Sequence, residues 1–130
     1  MADWALTRTN PEPFVASIPG SKSYTNRALV IAAMRPGTTE VTGALKSDDT
    51  VRLARAIGSF GGITVEDTDA GFRVTRVDGP IQAPAEPCDM GGAGTPARFL
   101  LAFAASAEGE TVVTGNPRLC ERPMGDILEA

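Results

Sequence analysis

Histidine is absent from these 130 residues. That removes the commonest general base near neutral pH, and with it any Ser-His-Asp or Cys-His arrangement. Cysteine is scarce. The spacing of Cys88 and Cys120 matches no zinc pattern, carboxylates alone would have to complete a metal site, and both read as free thiols. No run of roughly 18 apolar residues occurs, so the sequence offers no membrane-crossing helix. The first ten residues, MADWALTRTN, carry Asp3 and Arg8 where a signal peptide needs a basic start and then an apolar stretch. The cytoplasm is the expected location. Net positive charge is also lacking: the formal charge is -4 and the isoelectric point about 4.8. No global field exists to hold a nucleic-acid backbone or an anionic membrane, so any bound anion must meet a local cluster of cations. What remains, 42% hydrophobic and 22% charged residues, is the balance of one soluble globular domain.

Along the chain, strands and helices alternate. Phe14, Ala16 and Ile18 alternate with Val15 and Ser17 between prolines, which predicts a short strand leading into PGSKSYTNR at Pro19 to Arg27. That stretch opens a helix. From Ala28 to Met34 every residue is apolar, so the helix is expected to be buried on all sides. Pro36-Gly37 stops it, and a strand is expected around Thr39 to Thr42. Ser47, Asp48 and Asp49 then cap an amphipathic helix with Val51, Ala54 and Ile57 on one face and Arg52 and Arg55 on another. ITVEDTDAGFRVTRV reads as a hairpin turning at Asp69 to Gly71, and Pro80, Pro84 and Pro87 mark a linker-like passage.

After that passage the chain begins again. Displaced by about 71 positions, the first helix start matches GGAGTPAR: Gly20 falls on Gly91, Ser23 on Gly94, Arg27 on Arg98 and Leu29 on Leu100. With a one-residue adjustment, TEVTG falls on TVVTG. Two copies of a βαβαββ unit follow, the second stopping inside RPMGDILEA at the start of its amphipathic helix. A repeat cut there leaves apolar faces uncovered, so the chain is expected to be one piece of a larger assembly.

The helix starts are also where chemistry concentrates. N–H groups at a helix N-terminus favour an anion, glycine lets a ligand approach, and Lys22 and Arg27 add charge. The stretch is not a Walker A loop, since GxxxxGK[ST] is missing. A capped helix with a solvated lysine would explain the first start alone. The second start, together with Arg118 and Arg122 in NPRLCERP, makes a constellation of cations in an acidic protein. It suits a small substrate bearing phosphate and carboxylate groups.

PGSKSYTNRALVIAA, SDDT, GGAGTPARFL and PRLCERPMGD, in that order and spacing, resemble the N-terminal portion of the 5-enolpyruvylshikimate-3-phosphate synthase (3-phosphoshikimate 1-carboxyvinyltransferase) family. The resemblance implies an α/β fold: part of an inside-out α/β barrel built from βαβαββ repeats, here about one and a half of them. Residues 1–18 would belong to a second domain or the crossing to it, residues 19–85 would be the first unit, and 86–130 a truncated second unit. It implies transfer of the enolpyruvyl group of phosphoenolpyruvate to the 5-hydroxyl of shikimate 3-phosphate, with no metal or organic cofactor.

Carried over by position, the resemblance gives Lys22 to both substrates and to catalysis. Ser23 and Arg27 would bind shikimate 3-phosphate, Arg27 at its carboxylate. Gly94 would line the phosphoenolpyruvate pocket and Arg122 would bind its phosphate, with Asp49, Thr95 and Arg98 in support. One departure stands at Gly92, where the family often has Asn. The expected partners are the two small substrates and the remaining synthase polypeptide, with no nucleic acid and no membrane. Acid–base groups lie in the part that is missing, so the isolated chain is expected to be inactive, a noncatalytic piece until complemented. A sister enolpyruvyl transferase acting on UDP-N-acetylglucosamine has a reactive cysteine. Its motif resembles GAKN where this chain has GSKS, and its cysteine stands further ahead of the Arg-Pro pair than Cys120 does.

Overall fold

Helix α1, Lys22–Met34, starts where the residue types say it should. Ser21 stands in extended conformation as the N-cap, and its Oγ accepts from the Tyr24 N–H at 3.4 Å. Arg35, pushed out of the helical region by Pro36, ends it. In this computed structural model, which describes Ala5, Pro13 and residues 15–129, α1 buries Leu29, Ala32 and Ala33. Ile31 and Met34 stay 66% and 58% exposed. The expected all-round burial is therefore met on one face only, because α2, α3 and the sheet cover that face and no element described here covers the other.

Strand β1, Gly37–Thr42, follows, then α2, Asp48–Gly58, and the hairpin of β2, Ile63–Thr68, and β3, Gly71–Arg76. Ser47 and Thr50 form a reciprocal capping box at the start of α2. Leu53, Ala54 and Ile57 face the interior and Arg55 faces out. The three strands form an antiparallel sheet in the order β1-β3-β2, with Thr68 opposite Gly71 and Asp69-Ala70 as the turn. Phe72 and Val74 point to the core, while Arg73 stands outside between Glu40 and Glu66 in register. Its hydrogen bond to Glu40, followed by the charges of both carboxylates, raises the Arg73 pKa above its ordinary value.

The proline passage holds two short strands, β4 at Ile81–Gln82 and β5 at Cys88–Asp89, followed by α3, Gly94–Ala104. Strands β6, Ala107–Glu108, and β7, Val113–Thr114, pair in parallel with β4 and β5 respectively. Buried Ile81 anchors this passage, which is why it is not the free linker its prolines suggest. The short helices α4, Pro117–Cys120, and α5, Gly125–Leu128, complete the described chain. The expected repeat would make α3 the counterpart of α1, and β7 that of the end of β1. Its weak point is the expected first strand. Residues 15–18 form no strand and Val15 and Ile18 are exposed, because none of the described residues pairs with them, whereas their counterpart β5 is paired; Phe14 lies outside the described residues.

One core serves both copies. Leu29, Leu53, Ile57, Phe60, Met90, Leu100 and Phe103 pack between the three long helices and the sheet, Phe60 and Phe103 meeting edge to face with centroids 5.2 Å apart. Among the described residues no helix is long and apolar enough to cross a membrane.

Candidate anion-binding site at the helix starts

The start of α1 is pinned by close backbone approach. A methyl group on Gly20 would stand 2.8 Å from the Leu45 nitrogen and overlap the Gly43 carbonyl, so only glycine fits. Thr25 Oγ1 accepts from Leu45 N–H at 3.0 Å and donates to Ser21 O at 2.9 Å. This clamp brings the start of α2 beside that of α1. Lys22 Nζ consequently meets Asp49 Oδ2 at 2.9 Å, in a partly exposed ion pair. One residue on, Arg27 Nη1 donates to Ser23 Oγ at 2.5 Å, and the Arg27 guanidinium lies 6.0 Å from the centroid of the Phe99 ring on α3.

The start of α3 is built differently. Its N-cap is Ala93, with no side-chain hydrogen bond, so the Gly94 and Thr95 N–H groups at the dipole's positive end have no cap, and Pro96 has no N–H at all. Arg122 fills the space that a side chain at Gly94 would need: a methyl there would overlap Nη1 and stand 3.0 Å from Cζ. Four residues along α3, Arg98 Nη2 donates to the Pro123 carbonyl at 2.8 Å. Asn116 caps α4 through Leu119 N–H, and its Nδ2 would lie 3.1 Å from a methyl on Gly92.

The predicted residues thus fall into two groups. Lys22, Asp49, Ser23 and Arg27 form the first, and Gly94, Arg122, Thr95 and Arg98 the second. Among the described residues no hydrogen bond or ion pair joins them; their helices meet in the core through Leu29, Ala33, Ala97 and Leu100, and at its edge Arg27 lies over Phe99. Arg118 is exposed on α4. Sequence reasoning missed Phe99, the capping role of Asn116, and Asn26, which is 1% exposed with Oδ1 lacking a partner. The signal for Asn26 was available: an amide one turn after Lys22, at the edge of an apolar run.

Two cationic groups beside helix starts, one with open N–H groups, suit a ligand with two anionic ends. The sequence model of the family described as EPSP synthase (3-phosphoshikimate 1-carboxyvinyltransferase) matches residues 14–130. The chain belongs to that family. EPSP synthase relatives are similar across most of it. The 3-phosphoshikimate 1-carboxyvinyltransferase of Rhizobium leguminosarum bv. trifolii is 47% identical over 112 residues, 86% of this chain and 26% of the relative. The pentafunctional AROM polypeptide of Lachancea thermotolerans is 40% identical over 120 residues, covering 86% of this chain and 8% of that one. In structure, an EPSP synthase from Acinetobacter baumannii matches with a TM-score of 0.76 at 31% identity, over 88% of this chain and 26% of that chain. The α/β architecture is thus that of part of an EPSP synthase. The chain spans about a quarter, 26%, of the length of the first of these relatives.

Proposed function

We propose that this chain supplies one wall of an enolpyruvyl transferase site in the shikimate pathway, which leads to chorismate and the aromatic amino acids. In the reaction the 5-oxygen of shikimate 3-phosphate forms a bond to the enolpyruvyl carbon of phosphoenolpyruvate. The bond from that carbon to the phosphate oxygen breaks, and the hydroxyl proton leaves with phosphate. The observation that carries this reading is the Arg122 guanidinium lying on Gly94 over the uncapped start of α3. Guanidinium and open N–H groups there hold the phosphate of phosphoenolpyruvate. Lys22, held by Asp49, lies between the substrates, where its charge favours phosphate departure. Ser23 and Arg27 take shikimate 3-phosphate, Arg27 at the carboxylate, while Thr95 flanks Gly94.

Residues 19–85 and 86–130 are then two units of a repeat, with residues 1–18 leading to a second domain, in a cytoplasmic enzyme whose other partner is the remaining synthase polypeptide. The acid on this wall, Asp49, is engaged with Lys22. Proton transfer needs further groups within hydrogen-bond reach, so the chain alone is a noncatalytic piece that works when complemented. The test is a chimera in which this chain replaces the matching part of the Rhizobium relative, assayed for phosphate release from the two substrates. Activity that Lys22→Ala and Arg122→Ala each abolish is expected. A well-folded chimera that turns over without them would sink the assignment.

A further inference from the structure

Resting on the phosphate role given to Arg122 above, we propose that Arg98 is a positioning residue that sets the Arg122 guanidinium over the first turn of α3. Gly94 and Arg98 are four residues apart and share a helix face. At the first position the missing Cβ admits the Arg122 guanidinium; at the second, Arg98 Nη2 holds the Pro123 carbonyl at 2.8 Å. Arg122 N–H is tied back to Leu119 O at 3.1 Å, so the residue is held before by α4 and after by Arg98. Pro123 transmits the hold, because its ring fixes one backbone dihedral and stiffens the peptide joining it to Arg122. Arg122 and Pro123 are exposed and lie outside helix and strand, so little else packs on them. The carbonyl that Arg98 holds belongs to the residue next to Arg122, whereas Arg27 bonds only within its own helix turn, so the Arg98 bond is placed to fix the 122–123 segment.

The experiment uses the 15N-labelled chain and two variants, Arg98→Met, which keeps the apolar stem but has no donors, and Arg98→Lys, whose ammonium can donate to one carbonyl. Two quantities are read: the heteronuclear NOE of the Arg122 Nε–H in anion-free buffer, and the affinity for inorganic phosphate by calorimetry. Circular dichroism checks that each variant is folded. Arg98→Met is expected to make the Arg122 side chain mobile and to weaken phosphate binding by about tenfold, with Arg98→Lys restoring most of both. An Arg122 signal that stays ordered in Arg98→Met overturns the proposal, whether or not affinity falls, since a fall would then mark Arg98 as a direct ligand. Mobility that Arg98→Lys does not reverse overturns it too. If the parent chain binds no phosphate, the role given to Arg122 fails, while the anion-free NOE still decides whether Arg98 sets its position.

Discussion

Helices α1 and α3 are counterparts in the expected repeat, yet they differ in what meets their first N–H groups. At α1 the protein does so itself: Ser21 caps, and the proposed chemistry falls to the side chains of Lys22, Ser23 and Arg27. At α3 the cap is an alanine whose side chain has nothing to cap with, and the cation is brought from another part of the chain, Arg122 lying where the glycine leaves space. On the proposed reading, the two helix starts divide the work between side-chain and backbone recognition. The matched glycines show the same division. Gly20 is required by backbone atoms of the 43–45 loop, whereas Gly91 has positive φ and lies against the flexible Arg52 side chain.

The sharpest test of this contrast is loss of the borrowed cation. Truncating a charged, hydrogen-bonded group that contacts an anion costs about 2–5 kcal/mol. Arg122→Ala should therefore abolish calorimetric binding of phosphate by the chain while leaving its unfolding midpoint unchanged.

Adding one methyl to each copy should split stability from binding. Gly20→Ala collides with backbone and is expected to cost about 1–3 kcal/mol, seen as a lower urea midpoint at unchanged slope. Gly94→Ala meets the end of a flexible side chain, so stability moves by less than about 0.5 kcal/mol. Phosphate affinity, by contrast, falls about tenfold as the guanidinium is displaced.

Exchanging caps should blur the distinction by a smaller amount. Ser21→Ala removes a cap worth about 1 kcal/mol from α1, measured in the same unfolding experiment. Ala93→Ser gives α3 an internal acceptor for the N–H groups that phosphate would use, and affinity should drop about threefold, close to 0.7 kcal/mol. Smallest of all is Asp49→Asn. Its ion pair with Lys22 is partly exposed, so the melting temperature should shift by the equivalent of about 0.5 kcal/mol or less, and less again in high salt.

The sequence made legible what is decided locally. Ser21, Ser47 and Pro36 mark the helix ends, and the Asp69-Ala70 turn marks the hairpin, because caps and turns depend on residues next to one another. The two-residue strands β4 to β7 are too short for any period to show. The exposure of Ile31 and Met34 depends on what packs outside α1, which no local pattern encodes. At the site, motif positions named Lys22, Ser23, Arg27, Gly94 and Arg122, and their roles rest on the proposal above. The Arg98 bond to Pro123 was hidden because a main-chain carbonyl has no identity in a sequence.

The edge-to-face pair of Phe60 and Phe103 gives the shared interior a further meaning. Phe60 follows α2 and Phe103 lies on α3, so the pair ties α3 to the end of α2 inside the core. On the proposed reading the core is thereby a hinge pin for the site: Phe103→Leu alters no charge and touches no ligand, yet it would let the start of α3, with Gly94, shift against the start of α1, with Lys22.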